Sequence, residues 1–160
     1  MFTPEYNTYP VEAVANRILH EAQVRGVSVT NLQMQKFVYF AQGFALAQLG
    51  HPLFDEAIEA WTYGPVVPRL YRLLKHYEAN PIGPLPTSSV VAEGSKAAKV
   101  ICGMMDKLGN LSSTQLVRLS HREDSPWTAT WKEGNGRCDV IPLWQMALYF
   151  MALVGPLAEA

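Results

Sequence analysis

Two stretches of the chain hold residue types that could do chemistry. His121, Glu123 and Asp124 lie within one turn of sequence, the ingredients of an acid/base pair or of a metal-binding loop. The spacing lacks a second His, and a His-Arg-Glu-Asp run ahead of Ser125 and Pro126 also describes a capped, solvated turn. His51 with Asp55 and Glu56 offers the same ingredients, and a polar loop explains them as simply. No Gly-rich phosphate loop followed by Lys occurs, nor a Ser between glycines at a strand-to-helix elbow. The chain therefore reads as no enzyme, with no catalytic residue, metal or cofactor expected.

Recognition is better provided for. Arg69, Arg72 and His76 recur at helical spacing with Lys75 beside them, opposite Leu70, Leu73, Leu74 and Tyr77. No Asp or Glu occurs from Ala60 to Tyr77, so this face can steer an acidic partner. A solvated face balanced by acids from elsewhere in the fold is the other account of it. Just upstream, Trp61, Tyr63, Gly64, Pro65, Val66, Val67 and Pro68 join large rings to a stiffened backbone. Such a ledge loses little entropy when covered, which suits an interface. Equally, Gly64 and Pro65 could merely turn the chain, with Trp61 filling the core and Tyr63 left available.

Those residues need positioning elements. Pro10 opens a helix that Gly26 ends, with Val11, Val14, Ala15, Ile18, Leu19 and Ala22 on one stripe. Thr30 and Gln33 form a capping box for a second helix that continues to Leu49 and is apolar on more than one face, as a central core helix would be. A short strand is expected over Ala57 to Tyr63, with its partner placed near Leu53 and Phe54, and a third helix runs from Pro68 to Tyr77. The segment Pro81 to Ser89 is a breaker-rich, mobile loop. Further helices are expected over Lys96 to Leu108, after the Ser112–Gln115 capping box, after Ser125, and within Val140 to Leu153. The last is expected to be a buried helix. Its apolar run is interrupted by Pro142 and Gln145 and falls short of the roughly 20 residues that cross a bilayer. The fold class is mainly α: a single compact helical domain over residues 1–160, with a small β element, a short strand or hairpin around residues 53–63.

Composition narrows the partners. With 160 residues and 49% hydrophobic content the chain is expected to fold without disulfides or metal. Thirteen Lys and Arg against fourteen Asp and Glu give a charge of −1, which disfavours nucleic acid as the ligand. Only 17% of residues are charged, below the usual quarter or so, which suggests that a partner covers part of the surface. Cys102 and Cys138 are read as separate thiols. The segment Met1 to Pro10 lacks the basic start and apolar middle of a secretory signal, so no membrane association and a cytoplasmic location are expected. The oligomeric state stays open.

Three strings are specific enough to carry a resemblance: L-Q-M-Q-K-F-V-Y-F over Leu32 to Phe40, P-L-F-D-E-A-I-E-A-W-T-Y-G-P-V-V-P over Pro52 to Pro68, and L-S-H-R-E-D-S-P-W over Leu119 to Trp127. Together they resemble the Panacea antitoxin domain, the SocA-like family also described as GepA-type phage-associated proteins. Phe37 and Val38 stand where members often carry two leucines, a packing variation. The resemblance implies a helical antitoxin that neutralises its cognate toxin, expected from an adjacent gene, by direct protein contact and without a catalytic centre. Alternatives within the same resemblance are an adaptor delivering the toxin to an AAA+ protease of the ClpXP type, and a prophage-encoded protein acting on a host factor. It marks Lys36, Tyr39, Trp61, Gly64, Pro65, Pro68 and Pro126 as motif positions of structural use. Tyr63, Arg69, Tyr71 and Arg72 are the leading partner-contact candidates, ahead of His121 and Trp127. On this reading, changing Arg69 and Arg72 together to Glu should weaken neutralisation with little loss of thermal stability.

Overall fold

The computed structural model describes residues 6–157 of the chain, so residues 1–5 of the Met1 to Pro10 segment lie outside it. Seven α-helices occur among the described residues: α1 (Val11–Val24), α2 (Asn31–Gln48), α3 (Pro68–Leu74), α4 (Lys96–Leu108), α5 (Ser113–Ser120), α6 (Pro126–Trp131) and α7 (Leu143–Leu153). Between α2 and α3 lie two short strands, β1 (Glu59–Trp61) and β2 (Gly64–Val66). The fold is mainly helical with a small antiparallel sheet, as the sequence pattern predicts.

The centre is α2. Thr30 Oγ1 accepts from the Gln33 N–H at 3.3 Å while Gln33 Oε1 accepts from the Thr30 N–H at 2.9 Å, so both ends of the predicted capping box are made. Helices α1, α4, α5 and α7 and strand β2 surround α2, which explains why its apolar residues cover more than one face. Phe150 of α7 lies where a Cβ on Gly43 would stand, so only glycine lets α7 approach α2 this closely. The Phe150 ring also meets Tyr39 and Phe40 edge-on, with centroids 5.6 and 6.1 Å apart.

Buried polar side chains on α2 shape the irregular chain beside it. Gln42 accepts from the Leu53 N–H at 2.7 Å and donates to the Phe54 carbonyl at 2.8 Å. Those backbone groups are thereby satisfied without a ladder, which is why Leu53 and Phe54 are not the strand partner expected of them. The true partner lies downstream. Glu59 pairs with Val66, Ala60 with Pro65 and Trp61 with Gly64, across the two-residue turn Thr62–Tyr63. The other edge of β1 is closed by the segment before α7, through Ala60 N–H to the Asp139 carbonyl at 2.9 Å and Cys138 N–H to the Ala60 carbonyl at 2.7 Å.

Two further expectations are corrected. The segment 81–89 is tied down: Ile82 donates to the Val29 carbonyl at 2.8 Å, and the Asn16 side chain both donates to and accepts from the Leu85 backbone, at 2.9 and 2.8 Å. Ile82 and Leu85 are buried, so apolar anchoring holds a segment whose prolines and serines suggested freedom. Helix α7 is buried on one side only. Met146 and Phe150 face α2, whereas Trp144, Leu148 and Met151 face outward. Among the described residues no helix is long and apolar enough to cross a membrane.

Candidate partner-binding surface

The hairpin β1–β2 is positioned from behind by a buried polar cluster. Lys36 of α2 is fully buried and its Nζ donates to the Pro65 carbonyl at 3.1 Å. One residue earlier, Gln35 accepts from the Val67 N–H at 3.0 Å and donates to Asn31 Oδ1 at 2.8 Å. Gly64 has φ +111°, and a Cβ there would stand 2.7 Å from Ser120 Oγ and 2.8 Å from Lys36 Cε. Backbone conformation and close approach therefore both demand glycine at the hairpin's turn into β2.

Burial dominates the electrostatics of this cluster. Loss of hydration pushes the Lys36 ammonium down to about 7. His121 is half-buried and its pKa is lowered, first by burial and then by the neighbouring Lys36 charge. Burial raises the Tyr39 phenol, with Tyr149 adding to the effect. Tyr39 Oη and His121 Nε2 are buried with no hydrogen-bond partner. The His121 ring stacks on Trp127 with centroids 3.7 Å apart, and Trp127 Nε1 donates to the Trp61 carbonyl at 2.8 Å. Trp127 in turn stacks on Trp131 at 5.2 Å. Three motif strings far apart in sequence thus meet at one place, the back of the hairpin.

In front of the hairpin lies a cleft of about 680 Å3. Leu32, Trp61, Tyr63, Val66 and Tyr71 make it largely apolar, and Gln35 and Asn31 of α2 form its floor on one side. The Trp61 and Tyr71 rings meet edge-on at 5.1 Å, and Trp61 Nε1 is held by Glu59 Oε1 at 3.0 Å. Tyr63, at the turn, is 68% exposed. Lys75, Glu78 and Arg137 are the charged residues of the lining, and Arg137 is tied to the turn through Thr62 Oγ1 at 3.1 Å.

The candidates named from sequence divide accordingly. Tyr63 and Tyr71 line the cleft together with Trp61. Arg72 and Lys75 are exposed and have no carboxylate within 4 Å among the described residues. Arg69 is otherwise engaged: it donates to Glu12 Oε1 at 3.2 Å and Oε2 at 2.8 Å and stands 3.9 Å from Glu56. These acids, on α1 and the loop before β1, are the distant balance that the basic stretch allowed for. Its Glu12 hydrogen bond is the chief reason the Glu12 carboxyl is held below its ordinary range. Leu73 is 41% exposed and not part of the core stripe. Trp127 is 6% exposed, so it supports the surface from inside rather than forming part of it.

Lys36, Tyr39, Gly64 and Pro65 occupy the buried cluster, while Pro68 and Pro126 open α3 and α6 in the first helical turn. Gln35, Gln42 and Ser120 were missed. For Gln35 and Gln42 the only sequence signal is a polar side chain within a helix otherwise committed to the core, and Ser120, on a helix where Leu116 alone is buried beside it, carries none. Among the described residues no group of three or more His, Cys, Asp or Glu is placed to hold a metal ion.

The profile of the family described as "Antitoxin SocA-like, Panacea domain" matches residues 34–128. The chain is also similar to Antitoxin SocA of Caulobacter vibrioides (strain NA1000 / CB15N), with 31% identity over 140 residues, covering 78% of this chain and 72% of that protein. No solved structure matches. The span matched by the family profile holds the hairpin, α3 and the buried cluster behind them, and leaves α1 and α7 outside.

Proposed function

The chain belongs to the SocA-like, Panacea-domain antitoxin family, and from that membership we propose that it neutralises a cognate toxin by direct contact, through the aromatic cleft in front of β1–β2. The observation that carries this reading is the cleft itself. Leu32, Trp61, Tyr63 and Tyr71 line it on a backbone that Lys36, Gln35 and Gly64 fix from behind. Aromatic anchors in a preformed pocket give the largest return per residue covered, because little conformational entropy is left to lose. Lys75 and Arg137 outnumber Glu78 in its lining, which favours a toxin surface that presents an apolar or aromatic side chain flanked by carboxylates. Inhibition then follows from occupancy, with no bond made or broken. The chain works as one unit over residues 1–160, in the cytoplasm.

The test is co-expression with the product of the adjacent gene. Wild type should restore growth and co-purify with that toxin. Tyr63→Ala with Tyr71→Ala should weaken capture by about 10- to 100-fold, the scale of one or two hot-spot residues. Undiminished capture by the double variant removes the cleft from the interface. Rescue that disappears in cells lacking a ClpXP-type protease, with toxin levels rising, replaces direct inhibition with the adaptor role.

A further inference from the structure

We propose that Glu78 is a specificity-determining residue of the cleft, whose carboxylate receives a Lys or Arg side chain of the partner. This role rests on the reading of the cleft as the toxin face and names a chemical feature of that toxin. Past α3 the chain makes one 3-10 turn, Lys75–Tyr77, and then reverses tightly. The Asn80 N–H donates to the Tyr77 carbonyl at 3.0 Å, which closes a four-residue turn with Glu78 second and Ala79 third. Glu78 has φ 55° and ψ −124°, the conformation that a type II′ turn requires at its second residue. Glycine is the residue suited to that position, because a Cβ there crowds the neighbouring backbone. The turn therefore carries strain that a glycine at residue 78 would remove.

The fold needs the reversal but not the glutamate. The chain must turn back after Tyr77 so that Ile82 can donate to the Val29 carbonyl at 2.8 Å, and a glycine would make that turn equally well. What glycine cannot supply is the carboxylate. The Glu78 side chain is exposed and makes no ion pair within 4 Å among the described residues, even with Lys75 three positions earlier. Its place gives the strain a use. Four non-glycine residues among those described have positive φ, and two of them, Glu78 and Cys138, line the cleft. The Cys138 N–H is held by the Ala60 carbonyl at 2.7 Å, so pairing with β1 accounts for that residue. At Glu78 the backbone hydrogen bonds stay within residues 75–80, and strain kept at a recognition surface without such support points to the side chain. Glu78 is the one acid of the cleft lining, set among Trp61, Tyr63 and Tyr71. A carboxylate at the edge of an apolar, partly dehydrated cleft attracts a Lys or Arg, and Lys75 and Arg137 attract the opposite charge. The partner segment seated here presents an apolar or aromatic anchor, with a cation toward Glu78 and a carboxylate toward Lys75 or Arg137.

Thermal melting of the full chain and capture of the adjacent-gene product, measured on the same variants, test the proposal. Glu78→Gly should raise the melting temperature by about 2–6 °C through relief of the turn, and should weaken capture by about 5- to 10-fold. Glu78→Gln keeps the strain and drops the charge, so it should melt with wild type and lose capture by the same factor. Glu78→Lys should lose more, at least about 10-fold, because it sets like charges against each other. A Gly variant that melts no higher than wild type shows that the turn is unstrained and overturns the proposal. So does a Gly or Gln variant that captures as tightly as wild type while the Tyr63→Ala and Tyr71→Ala pair loses capture, an outcome that leaves the cleft reading standing. Capture that survives loss of both tyrosines, or a wild type that captures nothing, overturns the cleft reading and the proposal together.

Discussion

The β1–β2 hairpin with its cleft and the outer face of α7 are both exposed and rich in large apolar side chains, and Glu59 bridges to Val140 between them. They are held and surrounded differently. Behind the hairpin stand Lys36, Gln35, Ser120 and the stacked His121 and Trp127, a polar and aromatic scaffold that costs desolvation and returns a fixed backbone. Behind α7 the contacts are chiefly apolar, Phe150 against Gly43 and the rings of Tyr39 and Phe40. In front, the hairpin has cations nearby and α7 has no charge at all. A rigid pocket with charges of both signs in its lining discriminates among partners, whereas an uncharged apolar stripe offers no polar group that would select one. The difference teaches that exposed apolar surface alone does not identify a partner. The polar groups that frame it do.

The sharpest way to break the contrast is at Gly64. Gly64→Ala forces a Cβ onto Ser120 Oγ and Lys36 Cε at a positive φ, and should cost about 3 kcal/mol or more in denaturant unfolding. The same change at Gly94, which has positive φ but open space around it, should cost only about 1 kcal/mol. Equal losses at the two sites mean that the packing behind the hairpin is not the constraint. Next comes the toxin face, where the Tyr63→Ala and Tyr71→Ala pair should lose capture while melting within a few degrees of wild type, since Tyr63 is largely exposed and Tyr71 partly so.

Lys36 gives a signature in pH. Folded Lys36 releases its proton above about 7, whereas in the unfolded chain the group keeps it up to about 10.5. The unfolded state therefore binds more protons across that window, and Lys36 makes stability rise with pH from about 7 to about 10.5, with its full penalty in place below 7. Lys36→Met should flatten this rise, which is about 5 kcal/mol at most, although it leaves the Pro65 carbonyl without its donor. A slope retained by the Met variant assigns the effect to another group. The smallest contrast is between two arginines. Arg69→Glu sets a third carboxylate beside Glu12 and Glu56 and should lower the melting temperature, whereas Arg72→Glu should leave it unchanged and slow toxin association at low salt. The two substitutions are therefore separate experiments, and thermal melts that respond alike contradict the pairing.

Much of the helical frame was legible because its signals are local. Thr30 with Gln33, Ser112 with Gln115, and Ser125 ahead of Pro126 each mark a helix start through groups three residues apart or closer. The strand partner was not legible, because Gln42 absorbs the backbone groups of Leu53 and Phe54 from a helix eleven and twelve residues away. Nor was the ordering of residues 81–89, which depends on Asn16 and Val29. At the site, Tyr63 and Tyr71 could be named from their residue type and setting, but the engagement of Arg69 by Glu12 is a contact between distant segments that no spacing rule encodes. The exposure of α7 was hidden for a related reason. An uncharged apolar run signals burial, and whether its own chain or a second one supplies the cover is decided by tertiary packing.

One comparison bears most directly on the assignment of the two faces: quantitative capture of the adjacent-gene toxin by wild type, by the Tyr63→Ala and Tyr71→Ala variant, and by the Trp144→Glu and Leu148→Glu variant, each folded and at equal concentration. If the cleft is the toxin face, the tyrosine variant loses capture by about 10- to 100-fold and the α7 variant holds the toxin as tightly as wild type. The reverse order, with capture lost at α7 and kept without the two tyrosines, contradicts it.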